Sequence, residues 1–136
     1  MDVMIENKAV PKLRFREFQD DWETNKLNNI FTISAGGDVS KENVSKEKTE
    51  AFKYPIYANA KKEKGFYAYS DIYKIDSNVV TVAGRGVHLG IAHSRKERFF
   101  PIVRLLVLKP KYECDIDYFE HRINLIRLFV ESTGVP

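Results

Sequence analysis

The chain has 136 residues, 43% of them hydrophobic and 30% charged, with a net charge of +3, which describes one folded domain and excludes a disordered chain. Cys114 is the only cysteine, so an internal disulfide is excluded and secretion gains no support. No apolar run reaches membrane-spanning length, Arg104 interrupting the longest candidate from Phe99 to Leu108, and residues 1–8 lack the apolar stretch of a signal peptide. A cytoplasmic protein without a membrane partner is therefore expected.

In chain order, Val10-Pro-Lys-Leu-Arg-Phe-Arg-Glu-Phe18 alternates apolar and charged residues and reads as an extended entry segment. Trp22, Leu27, Ile30 and Phe31 have roughly helical spacing, and Thr24 is placed to cap a short helix. Phe31 to Ile33 reads as a strand closed by Ala35-Gly-Gly37. Residues 38–53 are polar and rich in lysine and glutamate, a mobile loop or a short helix. Tyr54–Ala58, Gly65–Tyr69, Val79–Ala83, Val87–Ala92 and Ile102–Leu108 are rich in aromatic and β-branched residues and are predicted strands. Asp117-Tyr-Phe-Glu120 has capping-box spacing. Phe119, Ile123, Ile126 and Val130 follow as one apolar helical face, and Gly134 is a helix stop before Pro136. The pattern is α+β: a twisted, mostly antiparallel sheet with helices near the N- and C-terminal ends.

Charge is unevenly placed. From Lys61 to Arg104 there are nine Lys/Arg and four Asp/Glu, against thirteen and fifteen elsewhere. This basic middle fits an electrostatic footprint on one face, or alternatively lysines that protect strand edges. Within it, Val79-Val-Thr-Val-Ala-Gly-Arg-Gly-Val-His-Leu-Gly90 reads as a strand that reaches a glycine turn with Arg85 at its tip, Gly86 and His88 beside it, and a strand after it. An arginine there offers a rigid donor fork for phosphate oxygens or a guanine edge. The segment Tyr57-Ala-Asn-Ala-Lys-Lys-Glu-Lys-Gly-Phe-Tyr67 adds Lys61, Lys62, Lys64 and an expectedly exposed Tyr67. Most of Tyr54, Tyr57, Phe66, Tyr67 and Tyr69 should be buried alternately along strands; one or two could contact bases or sugars.

Catalytic patterns are missing. Gly84-Arg-Gly86 lacks the Lys-Ser/Thr of a phosphate loop, and the spacing of Gly86 and Gly90 breaks the dinucleotide fingerprint. The histidines have no metal spacing: His93 reads as a strand-end residue and His121 as a helix-surface residue. The only Glu-x-Lys, Glu6-Asn-Lys8, has no preceding Pro-Asp, so it does not make a Mg²⁺-dependent nuclease site. Two alternatives to DNA reading stay open: a small Mg²⁺-dependent nuclease, and a protein-interaction module without nucleic acid.

Several motifs fall together in order: Pro11 to Phe18, Trp22, Lys26-Leu-Asn-Asn-Ile-Phe31, Tyr54-Pro-Ile-Tyr-Ala-Asn-Ala60, Gly65-Phe-Tyr67, Val79 to Gly90, Leu106-Val-Leu-Lys-Pro110 and the helix from Tyr118. This succession resembles the target recognition domain of the specificity subunits of type I restriction–modification enzymes. One departure is Ala60, where that family usually has glycine after the position of Asn59. The resemblance implies a non-catalytic module without a cofactor, reading one half of a split site in double-stranded DNA, with methyltransferase and restriction subunits as partners. It also implies that residues 1–136 are a single recognition domain of a longer two-domain subunit, Ser132 to Pro136 resembling the handover to a connecting helix. On turn position and charge, Arg85 and His88 are expected at or near base edges, with Gly86 beside them at the DNA, and Lys61, Lys62, Lys64, Arg95, Lys96 and Arg98 mainly at phosphates.

Overall fold

The computed structural model describes residues 4–5, 25–60 and 62–126. Strand β1 (Met4–Ile5) pairs antiparallel with β2 (Asn25–Lys26), which leads into a one-turn helix α1 (Leu27–Ile30). Two four-stranded sheets follow. The first has the order β3 (Phe31–Ala35), β10 (Leu106–Pro110), β7 (Val79–Val82) and β8 (Ala92–Arg95), antiparallel throughout. The second has the order β4 (Val44–Ser45), β6 (Phe66–Ser70), β5 (Tyr54–Tyr57) and β9 (Phe100–Pro101), with β5 and β9 parallel. Helix α2 (Ile116–Ile126) packs on β8 and β7. The α+β, mostly antiparallel expectation holds, but the strands form two main sheets rather than one.

Strand β7 explains how the two sheets share a core. All four of its residues are buried. Val80 and Val82 face the cluster of Leu27, Phe31, Leu108, Ile116 and Ile123 beneath the helices. Val79 faces Tyr57, Phe99, Leu105 and Val107 on the other side. A strand covered on both faces has no use for polar alternation, so it reads as a continuous run, Val-Val-Thr-Val.

Strand and helix ends differ from the sequence reading most plainly in four places. The predicted strand Val87–Ala92 is a loop of two successive turns, and β8 begins only at Ala92. Gly86 and Gly90, at φ 82° and 90°, turn the backbone out of the extended region, and bonds from Leu89 N–H to Gly86 (3.2 Å) and Ile91 N–H to His88 (3.1 Å) close the turns. The predicted strand Ile102–Leu108 starts at Leu106, because residues 102–105 form a turn. The N-cap position of α1 falls at Lys26 rather than Thr24, which with the entry segment and Trp22 lies outside the described residues. Finally, α2 is capped by Asp115, not Asp117: its Oδ1 accepts from the N–H groups of Asp117 (3.0 Å) and Tyr118 (3.3 Å). Ile123 is fully buried and Phe119 and Ile126 pack beside it as the periodicity predicts; Val130 and Gly134 lie outside the described residues.

Asp117 and Glu120 are drawn instead to the free edge of β8. Ser94 donates its N–H to Glu120 (2.6 Å) and its hydroxyl to Asp117 (2.8 Å). Asn124 accepts from Ala92 N–H (2.7 Å) and donates to Ala92 C=O (2.9 Å). Residues at i, i+3 and i+7 lie on one helix face, so this polar stripe satisfies an edge strand that would otherwise be open to pairing.

Candidate functional site

The β7–β8 hairpin presents Arg85. Its base continues the ladder beyond the strands, with Ala83 N–H bonded to Ile91 and Gly90 N–H bonded to Ala83, both at 2.9 Å. Beyond that base the loop is open: Arg85 and Gly86 are exposed, Val87 is 90% exposed and His88 is half-buried. At Gly86 the positive φ favours glycine, although a Cβ there would meet nothing within 4 Å. The Arg85 side chain makes no hydrogen bond or ion pair among the described residues.

Two further turns are linked to the root of this loop through Asn59, which lies between β5 and the first of them. The β5–β6 hairpin tip, Lys62–Gly65, holds Glu63 and Lys64 at φ 51° and 58° and exposes both Lys62 and Lys64. Tyr67 follows and is 61% exposed, as expected. Lys61 lies outside the described residues. The third turn joins β9 to β10. Leu105 N–H bonds Ile102 C=O at 3.1 Å across Val103 and Arg104, which sit at φ 54° and 57°. Two consecutive positive φ values give the pattern of a type I′ turn, with Val and Arg where Asn and Gly are favoured.

Asn59 ties these turns together. Its Oδ1 accepts the Gly84 N–H (3.1 Å) at the root of the Arg85 loop, while its Nδ2 donates to the Val103 carbonyl. Gly36 and Gly37 hold the third turn from the opposite side: Arg104 N–H bonds Gly36 and Val103 N–H bonds Gly37, both at 3.0 Å. A Cβ on Gly36 would lie 2.7 Å from the Pro101 backbone, so only glycine admits this approach. Neither composition nor motif assigns Arg104 a site role, and Asn59 stands out only as a position in a motif. The signal for Asn59 was a lone amide between a strand and a basic turn; its two partners lie 25 and 44 residues away.

At the opposite end of the hairpin the cations are engaged. Arg95, expected at phosphates, is 3% exposed, which is a correction. Its Nε donates to Thr81 Oγ1 (2.9 Å), a terminal nitrogen donates to the Lys64 carbonyl (2.5 Å), and its guanidinium stacks 3.7 Å from the Tyr57 ring centroid. The side chain points between the sheets because its register, opposite Val79, faces inward. Burial lowers its pKa to about 10, so it stays charged at neutral pH. Tyr57 donates its hydroxyl to Glu97, and burial first, then that carboxylate, push its pKa up to about 12. Lys96 pairs with Asp117 (2.6 Å) and Arg98 with Asp76 (2.8 Å), both solvent-exposed pairs; Arg98 also lies over the Tyr73 ring. Asp117 holds Lys96 above, and Asp76 holds Arg98 above, the usual range of its group.

His93, the second residue of β8, is half-buried, and its Nε2 is buried without a hydrogen-bond partner among the described residues. Burial first, then the charge of Arg95, lower its pKa to about 4. His121 is exposed on α2, as read from the sequence. Of the aromatic cluster, Tyr57 is buried, whereas Tyr54, Phe66 and Tyr69 are half-buried around an open groove of about 520 Å³. Among the described residues no three His, Cys, Asp or Glu side chains gather as a metal site, and no helix is long and apolar enough to cross a membrane.

Residues 19–129 match the family model described as the type I restriction modification DNA specificity domain. Two Mycoplasma pneumoniae proteins described as type I specificity subunits are similar over 115 residues, at 30% and 28% identity. Each match covers 85% of this chain, which spans 34% and 31% of those proteins. The fold is similar to the crystal structure of a type I restriction–modification S subunit from M. genitalium, with a TM-score of 0.65 at 16% identity, over 85% of this chain and 29% of that one.

Proposed function

Because the chain belongs to the type I restriction modification DNA specificity domain family, we propose that it reads one half of a split sequence in double-stranded DNA without catalysing a reaction itself. Methyltransferase and restriction subunits would act at the site it selects. The observation that carries this reading is the Arg85 loop: an exposed, unengaged guanidinium on a backbone fixed by the Asn59–Gly84 bond. A fixed arginine fork can bond the O6 and N7 of guanine in the major groove, and fixing it beforehand lowers the ordering cost of binding. Lys62 and Lys64 on the neighbouring turn suit phosphates, which set register without carrying sequence information. The relatives named as specificity subunits support the same reading.

The test is selection from a pool of randomised duplexes by the assembled methyltransferase complex. Arg85→Ala is expected to relax one base position at a cost of about 1–3 kcal/mol in specific binding. Unchanged base preference in that variant would remove Arg85 from the reading surface. DNA cleavage by the purified chain with Mg²⁺, lost on substitution of one of its own carboxylates, would favour a nuclease instead.

A further inference from the structure

We infer that Arg104 is a second base-reading arginine, acting beside Arg85 at a different base pair, with Val103 as its apolar companion; this rests on the DNA-reading function proposed above. Three observations carry it. First, the turn is unfavourable as built. Both central residues have positive φ, and one is β-branched, a residue type for which this conformation is a genuine outlier. Such backbone persists only where its surroundings over-determine it, as at binding sites. Here Asn59, Gly36 and Gly37 do so, each through bonds to the turn's backbone.

Second, that scaffolding leads to side chains that do nothing for the fold. The Arg104 side chain is exposed and makes no hydrogen bond or ion pair among the described residues. Val103 is 45% exposed although it is apolar. It shares a cleft of about 390 Å³ with Tyr67, Lys41 and Lys46. Third, the turn is in register with the Arg85 loop. One asparagine side chain bonds the backbone of both, and a Cβ placed on Gly84 would lie 3.1 Å from the Arg104 carbonyl. An arginine that meets only phosphate needs no such fixed backbone. A bidentate fork on guanine, with a methyl-bearing neighbour against thymine, does.

The experiment is duplex selection by the assembled complex, comparing wild type, Arg85→Ala, Arg104→Ala, Arg104→Lys and the double variant Val103→Asn/Arg104→Gly. The wild type should enrich one half-site motif. Arg104→Ala should lose about tenfold preference at one base pair, at a position distinct from that lost by Arg85→Ala. Arg104→Lys should not restore it, because lysine lacks the planar fork. The double variant supplies the residues a type I′ turn favours, so it should melt at a higher temperature than wild type while losing the same base preference. That keeps the test decisive even if Arg104→Ala folds poorly. If Arg104→Ala and the double variant weaken all sequences alike, or leave preference unchanged while Arg85→Ala alters it, this inference falls and the proposed function stands. If the wild type enriches no sequence, both fall.

Discussion

The two ends of the β7–β8 hairpin carry the same kind of residue and use it differently. At the loop end, Arg85 is exposed and unengaged. At the strand end, Arg95 is buried against Tyr57 and spends its donors on Thr81 and the Lys64 carbonyl. The first arginine is held by the fold, and the second holds the fold. Positive charge in the middle of a sequence therefore does not amount to a binding surface. What separates the roles is whether the donors are already satisfied, since a buried guanidinium is tolerable only when paired and hydrogen-bonded.

The strongest way to break this division is Arg95→Ala. It leaves the Lys64 carbonyl and the Thr81 hydroxyl without their donor and opens a void over Tyr57. Urea denaturation should record a loss of about 3 kcal/mol, against less than about 0.5 kcal/mol for Arg85→Ala. Equal losses from the two variants would abolish the distinction. The loosened Lys62–Gly65 turn should also weaken DNA binding without changing which base Arg85 selects.

Acid should strike the strand end next. His93 has a folded pKa of about 4 against an ordinary value of 6.5, so between those values the unfolded chain binds the extra proton. Stability from this residue is complete above pH 6.5, falls as pH drops toward 4, and is flat below. Because His93 is only half-buried, solvent screening cuts the full-shift value of about 3.4 kcal/mol to roughly 2 kcal/mol. Denaturation midpoints at pH 7.5 and 5 should differ accordingly, and His93→Gln should flatten the difference. A wild-type profile already flat across this window would mean that His93 is not held neutral.

Much of this was legible in the residues. The unbroken Val-Val-Thr-Val run marked a strand, and Gly84-Arg-Gly86 marked the turn that exposes Arg85. Periodicity located α2 and buried Ile123. What escaped depended on partners distant in the chain. Val87 to Ile91 has the composition of a strand, but glycines at positive φ fold it into turns. Asp115 and Asp117 are both plausible caps, and the choice was made by the Ser94 edge that takes Asp117. The parallel pairing of β5 with β9 and the burial of Arg95 have no local signature. Arg104 looked only like a charge interrupting an apolar run, because nothing in sequence reveals a left-handed pair without glycine.

The smallest expected effect gives the finest comparison, between Lys62 and Lys96. Both are exposed lysines, but Lys62 has no partner among the described residues whereas Lys96 lies 2.6 Å from Asp117. Binding a phosphate releases counterions, so each such contact contributes to the fall of affinity with salt. Lys62→Ala should lower the slope of log affinity against log salt by about one while leaving base preference intact. Lys96 must first leave Asp117, and an approaching phosphate is repelled by the carboxylate left behind. Lys96→Ala should therefore lower the slope by less than Lys62→Ala does. Asp117→Asn should increase the Lys96 contribution by freeing its ammonium. Equal slopes for the two alanine variants would mean that Asp117 releases Lys96 on binding, and that the strand end of the hairpin touches DNA as fully as the loop end does.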